Sequence, residues 1–359
     1  MGGKRKRGAT KASIQSVQPT PKRPKTDESI TKGSQSKTLE LDNSPFADEN
    51  DNANRKREAK IYELLGSLDN DERLAAADAL VTALLAGSEI ALKRHLEKRL
   101  FRGLASSRNA SRLGFSLVIT EILRQLFGSL ELAKTKFTGL TFDKVLNVLV
   151  EATKSGGNVP GQEERDHFFG RLFGLQCFVE AKILFEDKTR WPEALDLLLE
   201  MAQRKVWIRS HCGWVIVECL PQMGQEGAEA ALQKFSDLGL GKTAEGVGIW
   251  LRARSCYPGM RFPPKPWTDP LSPASLPEVA RVLKENIAND TGEDVAVAKL
   301  KQSNWTAQLH FVWDLILTTL LESGSADQKH TKDQLKLFWT TVVDGKYLSR
   351  TILVCRTYF

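Results

Sequence analysis

The sequence is poor in the residues that build disulfides and metal centres. Among 359 residues there are five cysteines, none in a CxxC pair, and five histidines. An odd number of thiols, four of the five (Cys177, Cys212, Cys219, Cys256, Cys355) among apolar neighbours, predicts reduced, buried cysteines of a nuclear or cytosolic protein. His211 and Cys212 are adjacent and Cys219 follows about two helical turns on, but a closed zinc site needs about four such ligands. The expectation is core thiols and no metal. Long apolar runs are also missing. The longest, Leu309 to Leu321, is interrupted by Asp314 and falls short of the roughly 20 residues that cross a bilayer, so no membrane span is expected. No apolar h-region follows Lys4-Arg5-Lys6-Arg7, so no secretory leader is expected either. Strand-like alternation is rare after Arg57.

What is present is a folding composition with an uneven charge. Hydrophobic residues make up 41% and charged residues 26%, which excludes a mainly disordered chain. Residues 1–57 hold 13 Lys or Arg against 7 Asp or Glu, a net of +6 out of the total of +7, which leaves 38 against 37 for the rest. The basic excess is therefore local, and any binding face on the body must be a cluster. Residues 1–57 have almost no large apolar side chains and read as a disordered basic arm. Two clusters in it, Lys4-Arg5-Lys6-Arg7 and Lys22, Arg23 and Lys25 between prolines, read as a nuclear import signal, with Arg55-Lys56-Arg57 at the boundary. The blander alternative is a solubilising or nucleic-acid-tethering tail.

From residue 58 to about residue 345 the apolar residues recur with helical spacing. Leu74, Ala77, Leu80, Val81, Leu84 and Leu85 share one face of a helix ending near Gly87. Ser88 is placed to cap the next, which carries Ile90, Leu92, Leu96, Leu100 and Leu104. Further helices are predicted at about 111–127, 142–154, 163–185, 192–203, 206–220, 227–235, 277–287, 306–321 and 332–343. Two helices per period of about 40 residues, without a strict consensus, predict an all-α, degenerate HEAT- or armadillo-like repeat solenoid; a compact irregular bundle is the alternative. Prolines from Pro258 to Pro277 predict a long loop.

Two blocks carry a family resemblance. One is Lys98-Arg99-Leu100-Phe101-Arg102-Gly103-Leu104-Ala105-Ser106-Ser107-Arg108, continuing through Ser111-Arg112-Leu113-Gly114-Phe115-Ser116-Leu117. The other runs from Gly161-Gln162-Glu163-Glu164-Arg165-Asp166-His167 through Phe168-Phe169-Gly170-Arg171-Leu172-Phe173-Gly174-Leu175. Both resemble the N-terminal region of the DNA polymerase phi or Myb-binding protein 1a family, which takes in fungal DNA polymerase V. Trp207-Ile208-Arg209 with Cys212-Gly213-Trp214 is a weaker third block. The resemblance implies a helical-repeat protein of the nucleolus, linked to ribosomal RNA gene transcription, ribosome assembly and transcriptional co-regulation. It also implies a longer parent chain, of which this is the N-terminal third, with an atypical end over residues 346–359.

The family name raises polymerase chemistry, which needs paired aspartates for two metal ions. The Tyr-Gly-Asp-Thr-Asp core is absent, and Ser255-Cys256-Tyr257-Pro258 has no carboxylate close before it. Asp237-Leu238-Gly239-Leu240-Gly241-Lys242-Thr243 resembles a nucleotide-binding loop, but an alanine-rich helix precedes it where a strand is needed, and a glycine helix cap is the simpler reading. No catalytic residue and no cofactor are expected.

One cluster on the folded part suggests binding. Between Lys93 and Arg112 stand seven basic residues against the single acid Glu97, and Arg94, Lys98 and Arg102, four apart, share a helix face. With Arg99, Arg108 and Arg112 they form a candidate nucleic-acid contact; the alternative is a solvated face paired with acids of a neighbouring helix. Most of the eight tryptophans, Trp207, Trp214, Trp250, Trp305, Trp313 and Trp339 among them, read as core filler, and Trp267 in the proline-rich loop as a partner anchor if exposed. Gly170 and Gly174 are spaced to admit a close helix. The expected function is an interaction scaffold whose partners are preribosomal particles or ribosomal-gene chromatin, rRNA or DNA. A co-regulator binding transcription factors comes second, and a template-directed polymerase last.

Overall fold

A computed structural model describes residues 41–46, 52–156, 161–284, 310–322 and 328–344. Every regular element among them is helical. In order these are α1 (Asn52–Leu65), α2 (Asn70–Ala86), α3 (Glu89–His95), a π-turn (Leu96–Leu100) leading into α4 (Phe101–Gly103), α5 (Asn109–Phe127) and α6 (Leu132–Thr135). There follow α7 (Phe142–Ala152), α8 (Gly161–Glu180), α9 (Arg190–Arg204), α10 (Val206–Cys219), α11 (Gly224–Asp237) and α12 (Ala244–Cys256). The last two are α13 (Phe311–Glu322) and α14 (Gln328–Phe338), and residues 276–284 are also helical.

Local chemistry sets the boundaries. Asp69 accepts the Asp71 and Glu72 N–H groups (2.8 and 3.0 Å) and starts α2, and Ser88 accepts from Ala91 (3.1 Å) and starts α3, as its position in the sequence predicts. Thr141 and Thr243 do the same for α7 and α12. Leu74 departs from the expected buried face and is largely exposed. At that end of α2 the core is met by Arg73 and Ala77 instead, because the Arg73 guanidinium donates to the Ser67 carbonyl (2.6 Å) and folds inward.

The helices pack in two sets. In the first, α2, α5, α8, α10, α12 and α13 stand in a row, each against the next. In the second, α1 packs on α2, α4 on α5, α7 on α8, α9 on α10 and α11 on α12. One apolar core runs between them, from Leu65 and Leu80 through Phe101, Phe137 and Phe178 to Trp250 and Ile316. Gly170 and Gly174 explain how closely α8 of the row meets the second set: a β-carbon at Gly170 would lie 3.0 Å from the Ala105 backbone just after α4, and one at Gly174 would meet the Leu149 side chain of α7 at 2.2 Å.

Besides the one-turn α6, two longer helices were not legible as such. α1 begins at Asn52, inside the segment read as disordered arm, and Arg57 reaches back to residues 42–46: its Nε donates to the Asp42 carbonyl (3.2 Å) and its guanidinium lies 4.3 Å over the Phe46 ring. α12 has buried residues all round, so it lacks the polar face that periodicity detects. The stretch before residue 276 is non-helical as predicted, but it is packed. Trp267, the expected exposed anchor, is buried, and its carbonyl accepts the indole N–H of fully buried Trp250 (3.0 Å). Trp214 and Trp339, read as core filler, are partly exposed (39% and 42%).

Candidate nucleic-acid interface

The basic cluster is carried by α3, the π-turn, α4 and the start of α5. In an unbroken α-helix, residues four apart stay on one face, but the π-turn, closed by the Phe101 N–H to the Leu96 carbonyl, inserts extra backbone and changes the phase. Arg94, Lys98 and Arg102 therefore do not act together. Arg94 turns inward, 2.8 Å from Glu58 Oε1, whereas Lys98, Arg99 and Arg102 are exposed. Lys98 and Arg102 form no ion pair among the described residues. Arg99 lies 5.8 Å from the Tyr62 ring centroid, so its guanidinium is held over an aromatic face of α1.

The remaining two predicted residues serve the fold. Arg108 donates to the Gly66 carbonyl (3.0 Å), tying the end of α1 to the start of α5. Arg112 pairs with Asp166 of α8 (3.0 Å) and lies 5.6 and 5.5 Å from the Phe169 and Phe173 rings. Of the six cluster residues, Lys98, Arg99, Arg102 and Arg108 are exposed, and with Arg108 engaged by the Gly66 carbonyl, Lys98, Arg99 and Arg102 form the outward group. Exposed Arg55, Lys56 and Lys60 stand on α1, the helix that supplies Glu58 and Tyr62. Sequence reasoning assigned Arg55 and Lys56 to the arm and did not single out Lys60. The import-signal residues Lys4, Arg5, Lys6, Arg7, Lys22, Arg23 and Lys25 lie outside the described residues.

Beneath the cluster is a buried polar network. Glu58 and His95 are 2% and 1% exposed, with Glu58 Oε1 to His95 Nε2 at 3.2 Å and the Tyr62 hydroxyl to His95 Nδ1 at 2.7 Å. Burial opposes ionisation of Glu58, but the His95 hydrogen bond and charge, then Arg94 and Arg99, outweigh it and hold the carboxyl below the ordinary glutamate range. Burial, and next the Glu58 charge, push the Tyr62 hydroxyl up. The network fixes α1 against α3 and sets the platform from which Lys98, Arg99 and Arg102 project.

Other predicted chemistry resolves locally. Gly239 has φ +73 and terminates α11, and the short 3₁₀ turn Leu240–Lys242 then leads to the Thr243 cap of α12. A β-carbon at Gly241 would lie 2.6 Å from Pro266, and Lys242 pairs with Glu278 (3.5 Å), so the segment is a helix-to-helix turn packed under the proline-rich loop. His211 is exposed with its ring against Phe169 (5.3 Å), whereas Cys212 is fully buried, so adjacent residues face different surroundings. Burial pushes the Cys177 and Cys212 thiols up to about 11 and about 12.

Three relatives extend the comparison. The chain is 28% identical over 317 residues to the rDNA transcriptional regulator pol5 of Schizosaccharomyces pombe, covering 85% of this chain and 30% of the relative. It is 29% identical over 345 residues to the rDNA transcriptional regulator POL5 of Saccharomyces cerevisiae, covering 83% and 34%. To the Myb-binding protein 1A-like protein of Danio rerio it is 24% identical over 270 residues, covering 70% and 20%. The chain thus spans about a third or less of the length of these relatives. No solved structure matches it. The DNA polymerase phi family profile matches residues 95–359, which takes in residues 346–359 that were read from sequence as departing from the family. With the profile covering well over half of the sequence and both fungal relatives aligned over most of it, the chain belongs to the DNA polymerase phi family.

Proposed function

We propose that this chain is part of a nuclear, nucleolar helical scaffold that acts in ribosomal RNA gene transcription and ribosome biogenesis, with Lys98, Arg99 and Arg102 contacting nucleic-acid phosphates. The observation that carries the contact is the exposure of these three side chains on a platform fixed by Glu58 and His95, two of them without an ion pair among the described residues. Cations that are not neutralised by neighbours are the ones whose binding to phosphate releases counterions. The role for which the two fungal relatives are named, regulation of rDNA transcription, supports the setting. The two packed sets of helices support reading the body as a degenerate HEAT- or armadillo-like array. Lys4 to Arg7 and Lys22 to Lys25 are the import signal in this reading.

The role is that of a scaffold and not of a polymerase. Relatives named as regulators support this. A second reading, a co-regulator that binds transcription factors, is supported by the name of the Danio rerio relative. Crosslinking the tagged chain in its own cells, with bound RNA and DNA sequenced together, separates them. Enrichment of rRNA precursors or ribosomal DNA that falls in a Lys98→Glu, Arg102→Glu variant supports the first reading. No enrichment of either moves the assignment to the second.

A further inference from the structure

The row helices α5 and α8 leave an apolar groove between them that the basic platform does not use. Leu113 and Leu117, one turn apart on α5, are 58% and 40% exposed. Leu113 and half-buried Phe173 of α8 line a groove of about 330 Å³ together with Ser116, Thr120 and Cys177, and Leu117 stands on α5 outside this lining. The Cys177 thiol is engaged on the floor, 3.6 Å from the Ser116 carbonyl.

The two ends of this groove differ in charge. At one end Arg112 is neutralised by Asp166 (3.0 Å). At the other stands Glu180, exposed and without an ion pair among the described residues. A second carboxylate, Glu218, comes from α10 beside it. Its Oε2 is buried and has no hydrogen-bond partner among the described residues, and neither acid is paired with a cation there. Burial, and next the Glu180 charge, push the Glu218 carboxyl up, with only the Trp214 indole opposing them. Trp214, one turn before Glu218 on α10, is 39% exposed.

We infer that this groove docks a helical peptide segment of a partner protein, with two leucine-like side chains one turn apart against Leu113 and Phe173, and an arginine or lysine against Glu180. Charge complementarity selects this occupant. Two uncompensated carboxylates repel phosphates, so nucleic acid is disfavoured at a surface that otherwise has the aromatic character to stack bases. A cation supplied by the partner pairs with exposed Glu180 and offsets the neighbouring Glu218 charge, and an amphipathic helix lays its apolar stripe between Leu113 and Phe173. The inference stands apart from the phosphate contact proposed for Lys98, Arg99 and Arg102, because no residue is shared.

The test uses the full chain and three fluorescein-labelled helical peptides read by anisotropy. The first carries two leucines one turn apart followed one turn later by arginine, the second has glutamate in place of arginine, and the third has serines in place of the leucines. The arginine peptide should bind about tenfold more tightly than either twin. Leu113→Asp should abolish that binding, and Glu180→Lys, at an exposed position that leaves folding intact, should reverse the preference toward the glutamate twin. Equal binding of the three peptides, no binding of any, or binding unchanged by both substitutions overturns the proposal. So does displacement of the arginine peptide by oligouridylate, which would assign the groove to nucleic acid. Binding that emerges only after deletion of residues 290–305 also overturns it, by making the chain's own segment the occupant.

Discussion

Glu58 Oε1 lies 3.2 Å from His95 Nε2 although both side chains are almost fully enclosed. Arg94 reaches the same carboxylate oxygen from its half-exposed position, and Tyr62 closes the far side of the imidazole. Removing His95 takes from the enclosed Glu58 one of its two partners and leaves the Tyr62 hydroxyl without its acceptor or donor, so His95→Ala should cost about 2 kcal/mol in urea unfolding. The pH dependence has a definite sign. A carboxyl held below its unfolded value contributes stability above the ordinary glutamate range, and that contribution is lost as pH falls through the folded value. Glu58→Gln should therefore flatten the acid limb of the stability curve. Parallel acid limbs for the two proteins would show that the network contributes nothing to it.

The split among the basic residues predicts two distinguishable phenotypes. Lys98→Ala with Arg102→Ala should leave the melting temperature unchanged and reduce the slope of log K against log salt for duplex DNA by about 0.9 for each phosphate that is no longer neutralised. Arg94→Ala should do the opposite, lowering stability by stripping Glu58 of a partner while leaving the slope nearly as it was. A unified stripe, as the four-residue spacing alone suggests, would have all three substitutions change the slope alike.

Import is tested apart from the fold. Alanine at Lys4 to Arg7 and at Lys22, Arg23 and Lys25 should leave a fluorescently tagged chain in the cytoplasm. Nuclear accumulation at the original level would place the signal elsewhere.

The π-turn shows where reading the sequence stopped. Most helices, the Ser88 cap and the close approach at Gly170 and Gly174 follow from spacing and residue type, because each depends on a few neighbouring positions. Phase along α3 and α4 depends on one extra backbone residue that nothing in Leu96 to Leu100 announces. Partner choice was hidden for a similar reason: Glu58 comes from α1, 36 residues before Arg94, and Asp166 from α8, 54 residues after Arg112. Long-range ion pairs convert a face that is basic in sequence into one whose free charges are only part of it. α12 was missed because a helix enclosed by α10, α11 and α13 needs no polar stripe.

Thiol reactivity should follow burial. Cys256 is partly exposed, whereas Cys177, Cys212 and Cys219 are buried, with their thiols pushed up by the loss of solvent. Thiolate is the reactive form, so under native conditions near pH 8 an aromatic disulfide reagent should modify Cys256 well before these three, which should react only as the chain unfolds. Mass mapping of the labelled sites after short exposure checks this. Early labelling of Cys177 would mean that the floor of the α5–α8 groove opens on the timescale of the assay.

Glu218 offers the reverse sign to Glu58. Its carboxyl is pushed up by burial and then by Glu180, so the folded state favours the protonated acid more than the unfolded chain does. The stability this contributes is complete below the unfolded value and is lost as pH rises through the folded one. At neutral pH the ionised side chain is therefore a liability, and Glu218→Gln should raise the melting temperature there while making little difference in acid. The same substitution removes one of the two charges that select a cationic peptide. A gain in stability at pH 7 together with a weakened preference for the arginine peptide would mark Glu218 as a residue kept charged for its partner at the expense of the fold. A loss of stability at pH 7 would mean instead that a cation within the chain already satisfies it.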